Sequence, residues 1–185
     1  TTAFLISPRV FYFFLVYQFF FFFYSHKLSK ILIINNITFV SLTLYPFFGM
    51  MVYYHTFSRK VFLMAVFLFL MLLVMDILKD ILTKNADKIF GYTTIPNTFG
   101  TRNAVNVVVA LSVLLFTVSM LIISNTGIHS ILPLYFAAGL FVIILSVYLL
   151  LSSVKKSNFI VLNILRIWVF VGIIAMLLDG IIERF

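Results

Sequence analysis

"VMDILKDILTKNADKIFGYTTIP", residues 74–96, carries three of the five acidic side chains in a chain of 185 residues: Asp76, Asp80 and Asp87. An unbroken apolar run, residues 61–75, leads into it. Positions 76, 80, 83 and 87 step by four, three and four. On an α-helix, at about 100° per residue, Asp76, Asp80, Thr83 and Asp87 therefore fall within an arc of roughly 60°. Asp80 and Asp87 stand about 10 Å apart along the axis at 1.5 Å per residue. Like charges one turn apart repel, so a chain short of charge that stacks anions needs a compensating cation. Mg²⁺ takes hard oxygen ligands, commonly one or two carboxylates with water and substrate phosphates. Lys79, Lys84 and Lys88 flank the same face as point charges for phosphate oxygens. Two readings stay open on this ground. One is a Mg²⁺–diphosphate site, in which metal and lysines neutralise a departing diphosphate. The other is a helix end whose mixed charges are solvated. Its place at the edge of a membrane-like segment, where ionisable groups are functional candidates, gives weight to the first.

The rest of the chain sets the solvent. It is 64 % hydrophobic and 10 % charged, with a mean hydropathy of +1.21. A soluble domain is about half apolar and roughly a quarter charged, and no globule of this size has interior enough to hide the excess. The expected fold class is an all-α membrane protein, because a helix satisfies its own backbone in lipid. Apolar runs predict about six spans: Val10 to Tyr24, Ile31 to Tyr54, Val61 to Leu78, Ala104 to Ile123, Ile131 to Leu151 and Phe159 to Ile182. The first, "FYFFLVYQFFFFFY", is short, and its phenylalanines read as lipid-facing bulk. The chain reads as one transmembrane helical domain over residues 1–185. Its start, "TTAFLISPRVF", lacks an initiator Met and a signal-peptide pattern and is read as that of a fragment.

Charge distribution gives an orientation. One set of connections carries Lys27, Lys30, Lys79, Lys84, Lys88, Arg102, Lys155 and Lys156; the other carries Arg9, Arg59, Lys60 and Arg184. By the positive-inside rule the acidic stretch faces the cytoplasm. The basic residues, a net +8, sit singly or in pairs between apolar runs and form no contiguous basic face. That pattern fits membrane lipids and anionic substrates, not nucleic acid. Zero Cys excludes disulfides and thiolate sites. The expected connection from Lys79 to Asn103 is long and holds the densest polar chemistry, with a helical extension ending near Phe90 and a turn after it.

"MDILKDILTKNADKIFGYTTIPNTFGTRNA", residues 75–104, resembles the second aspartate-rich motif of UbiA-type intramembrane prenyltransferases. Asp76, Lys79, Asp80, Asp87, Lys88, Gly91, Tyr92, Thr94, Pro96, Gly100 and Arg102 fit its pattern. "FYSHKLSKILIINN", residues 23–36, resembles a second family segment through Tyr24, Ser25, Lys27, Leu28 and Asn36. "VLNILRIWVFVGIIAML", residues 161–177, is similar to the closing helix of bacterial lipid and quinone prenyltransferases. The resemblance implies the last six helices of a nine-helix bundle, with the first three helices and the first Asp-rich motif missing. It implies a bacterial inner-membrane location and transfer of a polyprenyl group from a polyprenyl diphosphate to a lipophilic acceptor, aromatic or glycerol-phosphate-like. Mg²⁺ would be held by Asp76, Asp80 and Asp87, and the diphosphate by Lys79, Lys27, Lys88, Asn36 and Tyr92. Three positions depart from the pattern: Thr83 stands for the middle aspartate, Ala86 for a glycine and Ser29 for a lysine.

Two rival functions remain: a non-catalytic paralogue serving as a membrane scaffold, and a small transporter subunit using the acidic face as a cation path. The transporter reading needs polar residues along several spans, and these are sparse between Val105 and Leu151. His26, His55 and His129 lie in separate loops without ligand spacing. Arg166, three residues after Asn163, is read as snorkelling to the interface, and Asp179 and Glu183 as solvated at the far end of the last helix. Asn35 and Asn36 admit bundle hydrogen bonding or cavity lining. Ala137, Ala138 and Gly139 are read as small residues for close helix packing.

Overall fold

The computed structural model describes residues 7–55, 57–126, 130–152 and 156–182. His129, Lys155, Glu183, Arg184 and the first six residues lie outside them. Seven α-helices and one 3₁₀ turn, with no strand, make up the described residues. They are α1 (Pro8–His26), the turn (Leu28–Lys30), α2 (Ile34–Tyr53), α3 (Arg59–Ile89), α4 (Ile95–Phe99), α5 (Thr101–Asn125), α6 (Leu132–Leu151) and α7 (Ser157–Ile182). Five of these, α2, α3, α5, α6 and α7, are long and apolar enough to cross a membrane. The sixth expected span, α1, forms as a helix of 19 residues but is not among the five. Arg9, Gln18, Ser25 and His26, with three tyrosines, dilute its phenylalanines.

Local chemistry sets the ends. Ser7 caps α1, accepting from Arg9 N at 3.3 Å, with Pro8 in the first turn where its missing N–H costs nothing. Ser58 caps α3 by accepting from Val61 N at 3.2 Å. The C-terminus of α3 is a Schellman motif: Tyr92 N donates to Asp87 O at 2.9 Å and Gly91 N to Lys88 O at 3.3 Å. Gly91, at φ 72°, supplies the left-handed residue that motif needs. The 25-residue connection expected from Lys79 to Asn103 is thus mostly helix. Lys79 to Ile89 continue the membrane helix, and only residues 90–94 and Gly100 separate α3, α4 and α5.

Helix α3 is the axis of the bundle and packs against α2, α4, α5 and α7. Its buried positions Met64, Phe67, Met71, Val74, Leu78 and Ile81 step by three and four, the seam spacing of helices packed at shallow angles. On α5, Ala104, Val108, Ser112, Leu115, Ser119 and Ile122 present a matching stripe. Ser112 and Ser119 satisfy themselves on Val108 O and Leu115 O, both at 2.8 Å, so their small side chains allow close approach without an unpaired hydroxyl. Of the small triplet on α6, Gly139 is the buried member, where a Cβ would meet Trp168 Nε1 at 3.2 Å. Helix α1 buries no residue and packs on α2, where Tyr45 stacks with Phe13 and Tyr17.

At the end of the bundle opposite the aspartate stretch, one expectation is corrected. Asp179 is not solvated: it is 4 % exposed. Its Oδ1 accepts from Ser130 Oγ at 2.7 Å and Ile131 N at 2.9 Å, and its Oδ2 pairs with Lys60 Nζ at 3.5 Å. The carboxylate ties the end of α7 to the starts of α6 and α3. An Asp near a helix end, with its partners in two other segments, gives no local sign of burial. Arg166 is exposed and donates to Asn163 Oδ1 at 3.5 Å.

Candidate functional site

At the aspartate-bearing end, α1, the 3₁₀ turn, α2, α3 and the 91–94 segment enclose a polar cavity of about 320 Å³. Asp76, Asp80 and Asp87 all line it, as the four–three–four spacing predicts, together with Lys79, Tyr92 and Thr94. Asn36, from α2, is 2 % exposed and joins the two deeper carboxylates. Its Nδ2 donates to Asp76 Oδ2 and to Asp80 Oδ2, both at 2.8 Å, one hydrogen to each. Carboxylates accept only, so the amide must turn its nitrogen towards them. Its Oδ1 is left buried without a hydrogen-bond partner, and so is the hydroxyl of Thr94 in the same wall. Buried polar atoms are nearly always paired, and the Thr94 hydroxyl, which lines the cavity, is free to meet a bound group.

The backbone that delivers Asn36 is strained. Ile33 sits at φ 66°, ψ −47°, and Ile34 N donates to Leu32 O at 2.7 Å, a γ-turn that a β-branched residue seldom adopts. Such outliers persist where the surroundings enforce them and gather at functional sites. Here the turn starts α2 directly before Asn35 and Asn36. Asn35 Oδ1 accepts from the Tyr24 hydroxyl at 2.7 Å, fastening α1 to α2 across the mouth. Thr93 Oγ1 donates to Lys30 O, bringing the segment after Gly91 back over the 3₁₀ turn.

The third aspartate stands apart. Asp87 Oδ2 accepts from Thr83 Oγ1 at 2.7 Å, one turn back on α3. Where the resemblance expects a further carboxylate, the hydroxyl instead meets the carboxylate of Asp87, with Lys79 O at 3.1 Å as its alternative acceptor. Among the described residues no three His, Asp or Glu side chains are grouped closely enough to hold a metal ion. The pair Asp76 and Asp80, which line the cavity, still offers hard oxygen donors of the kind Mg²⁺ takes.

The predicted cations divide. Lys79 lines the cavity with its Nζ 5.5 Å from the centre of the Phe39 ring. Lys84 turns to Thr101 Oγ1 at 3.3 Å. Lys27 and Lys88 are exposed and are not among the cavity-lining residues. Lys27 Nζ stands 6.0 Å from the centre of the Phe23 ring. His26 stacks on Phe22. Asn35 lines the cavity, one of the two readings sequence allowed it, and Tyr24, Ser25, Ser29, Phe39 and Thr94 line it without a role assigned from sequence. For Tyr24, Ser25 and Thr94 the motif match is the available signal, and Ser29 stands where the same segment expects a lysine; for Phe39 there is none.

A helical membrane protein with a carboxylate-lined cavity at one end of its bundle is the class that fold and site define. The model of the UbiA prenyltransferase family matches residues 1–176, and the chain belongs to that family. A membrane prenyltransferase-type function goes with that membership. No curated protein and no solved structure matches the chain.

Proposed function

We propose that the polar cavity binds the diphosphate of a polyprenyl diphosphate in a Mg²⁺-dependent way, and that the protein transfers the prenyl group to a lipophilic acceptor. The observation that carries this reading is the pair Asp76 and Asp80, fixed by one buried amide and facing a cavity that also holds Lys79 and Asp87. Two carboxylates one turn apart are repulsive. Asn36 holds them together, an arrangement suited to a cation and wasteful without one.

Asp76 and Asp80, with Asp87 further along the same cavity wall, would hold Mg²⁺. When bound, the metal neutralises charge building on the diphosphate as the allylic carbon–oxygen bond breaks. Lys79 contributes a cation to the same oxygens, and the Phe39 ring beneath keeps its ammonium at the cavity wall. The Thr94 hydroxyl, with no partner of its own, donates to a phosphate oxygen, and Tyr92 closes the cavity beside it. Lys27 and Lys88, exposed outside the lining, raise the local concentration of an anionic donor and do not touch it. The positive-inside excess orients this end to the cytoplasm.

The test uses membranes containing the complete protein, tritiated farnesyl diphosphate and Mg²⁺, with label counted in the lipid extract. Incorporation is expected in the wild type and abolished by Asp80→Ala, by Asp87→Ala and by chelator. Incorporation unchanged in both variants would overturn the assignment, and none in the wild type would favour the scaffold reading.

A further inference from the structure

The polar cavity has two unlike sides. Helix α3 and the 91–94 segment bring Asp76, Lys79, Asp80, Asp87, Tyr92 and Thr94. The other side, made by α1, the 3₁₀ turn and the start of α2, brings Tyr24, Ser25, Ser29, Asn35 and Phe39, none of them charged. The residues of that stretch able to carry positive charge stay out of the lining. His26, Lys27 and Lys30 are exposed, with His26 stacked on Phe22 and Lys27 set over Phe23. The position where the resemblance expects a lysine is Ser29, buried in the wall.

Two hydroxyls on this side have spent their hydrogens inside the protein. Tyr24 donates to Asn35 Oδ1 at 2.7 Å and Ser29 to Ser25 O at 3.3 Å. A hydroxyl that has given its one hydrogen still accepts. Tyr24 Oη and Ser29 Oγ therefore offer lone pairs to an incoming group, as the carboxylates of α3 do. A phosphate or carboxylate brings lone pairs of its own, and setting acceptors against acceptors leaves both unpaired after their water is gone. Charge works in the same direction. Three carboxylates against one ammonium leave the lining negative, and a divalent cation carrying a more highly charged diphosphate does not reverse the sign. A neutral hydroxyl group brings its own hydrogen and meets neither penalty. Its oxygen then accepts from the neutral donors of this side, Ser25 Oγ and Asn35 Nδ2.

We propose that this side of the cavity seats the polar head of the acceptor, and that the head is an uncharged hydroxyl group whose O–H donates to Ser29 Oγ or Tyr24 Oη. Ser29 is thereby the residue that sets acceptor class. The inference rests on the diphosphate reading of the same cavity and adds the chemistry of the second substrate to it. Of the acceptor types the resemblance implies, it sets aside the glycerol-phosphate kind.

The experiment supplies acceptors in pairs that differ in charge: monooleoylglycerol against its phosphate, and para-hydroxybenzyl alcohol against para-hydroxybenzoate. Each is added to membranes containing the complete protein with tritiated farnesyl diphosphate and Mg²⁺, and the label joined to it is counted. The uncharged member is expected to take label at least about tenfold faster than its anionic partner. Ser29→Lys returns a cation to the wall and is expected to swing that ratio about tenfold towards the anionic member. Ser29→Ala removes the lone pairs without adding charge, and lowers transfer to the uncharged member without raising the other. Ser25→Lys, at an exposed position of the same side, repeats the charge test where Ser29→Lys does not fold. Three results overturn the inference: an anionic member used as well as its partner, a ratio that neither lysine moves, or no transfer to either uncharged compound. In each case Mg²⁺-dependent binding of farnesyl diphosphate, measured in the same membranes, leaves the diphosphate site standing. Absence of that binding removes both.

Discussion

Asn36→Leu removes the one group that holds Asp76 and Asp80 together while keeping the side chain near its size. Each of the two bonds it deletes is a 2.8 Å donation from a buried amide to a carboxylate. Hydrogen bonds to charged groups contribute about 1.5–3 kcal/mol each, so the pair is worth roughly 3 kcal/mol at the lower figure. Leucine offers no donor in return, and the carboxylates, one turn apart, swing apart to find water. Regathering them around a bound donor then costs free energy that the amide supplies in the wild type. At 1.4 kcal/mol per decade, about 3 kcal/mol is roughly a hundredfold loss of Mg²⁺-dependent affinity if all of it falls on binding. A share will fall on stability instead, so the two readouts are taken together: donor affinity in membranes and the midpoint of thermal aggregation in detergent. Affinity within about threefold of wild type, with an unmoved midpoint, would refute the idea that the amide organises this site.

Other consequences are as direct. Thr83→Val deletes the hydroxyl that fixes Asp87 and is expected to weaken donor binding by about tenfold, with Thr83→Ser restoring most of it; equal behaviour of the two would show that the hydroxyl does not matter. Gly91→Ala places a Cβ at φ 72° and should cost about 1 kcal/mol of stability. It should also weaken donor binding by loosening Tyr92 and Thr94, and a donor affinity equal to wild type would contradict that link. Asp179→Ala takes away the acceptor that Ser130 Oγ and Ile131 N share and should lower stability by about 1–3 kcal/mol, read as a fall in the aggregation midpoint.

The parts of the molecule legible in sequence are those written within one helix. The four–three–four spacing from Asp76 to Asp87 places all three carboxylates on one cavity wall, since helical periodicity needs only local register. The glycine after Phe90 likewise announces the end of α3. What escapes is set between segments. Nothing near Asn36 says that its nitrogen will sit between two carboxylates of another helix, and nothing near Asp179 says that Lys60 and Ser130 will cover it. Lysines mislead for the reverse reason. Lys79, Lys84, Lys88 and Lys27 look alike on a charge map, yet long flexible stems follow their surroundings, and Lys79 alone of the four lines the cavity.

The central claim, that a carboxylate pair gathered by one amide binds diphosphate through a divalent cation, is tested most directly by equilibrium binding of farnesyl thiodiphosphate, a donor analogue slow to ionise. Membranes holding the complete protein should bind it saturably with Mg²⁺ and not with chelator, and Asp80→Ala should abolish that binding. Binding that persists without the metal, or is untouched by Asp80→Ala, would contradict the account.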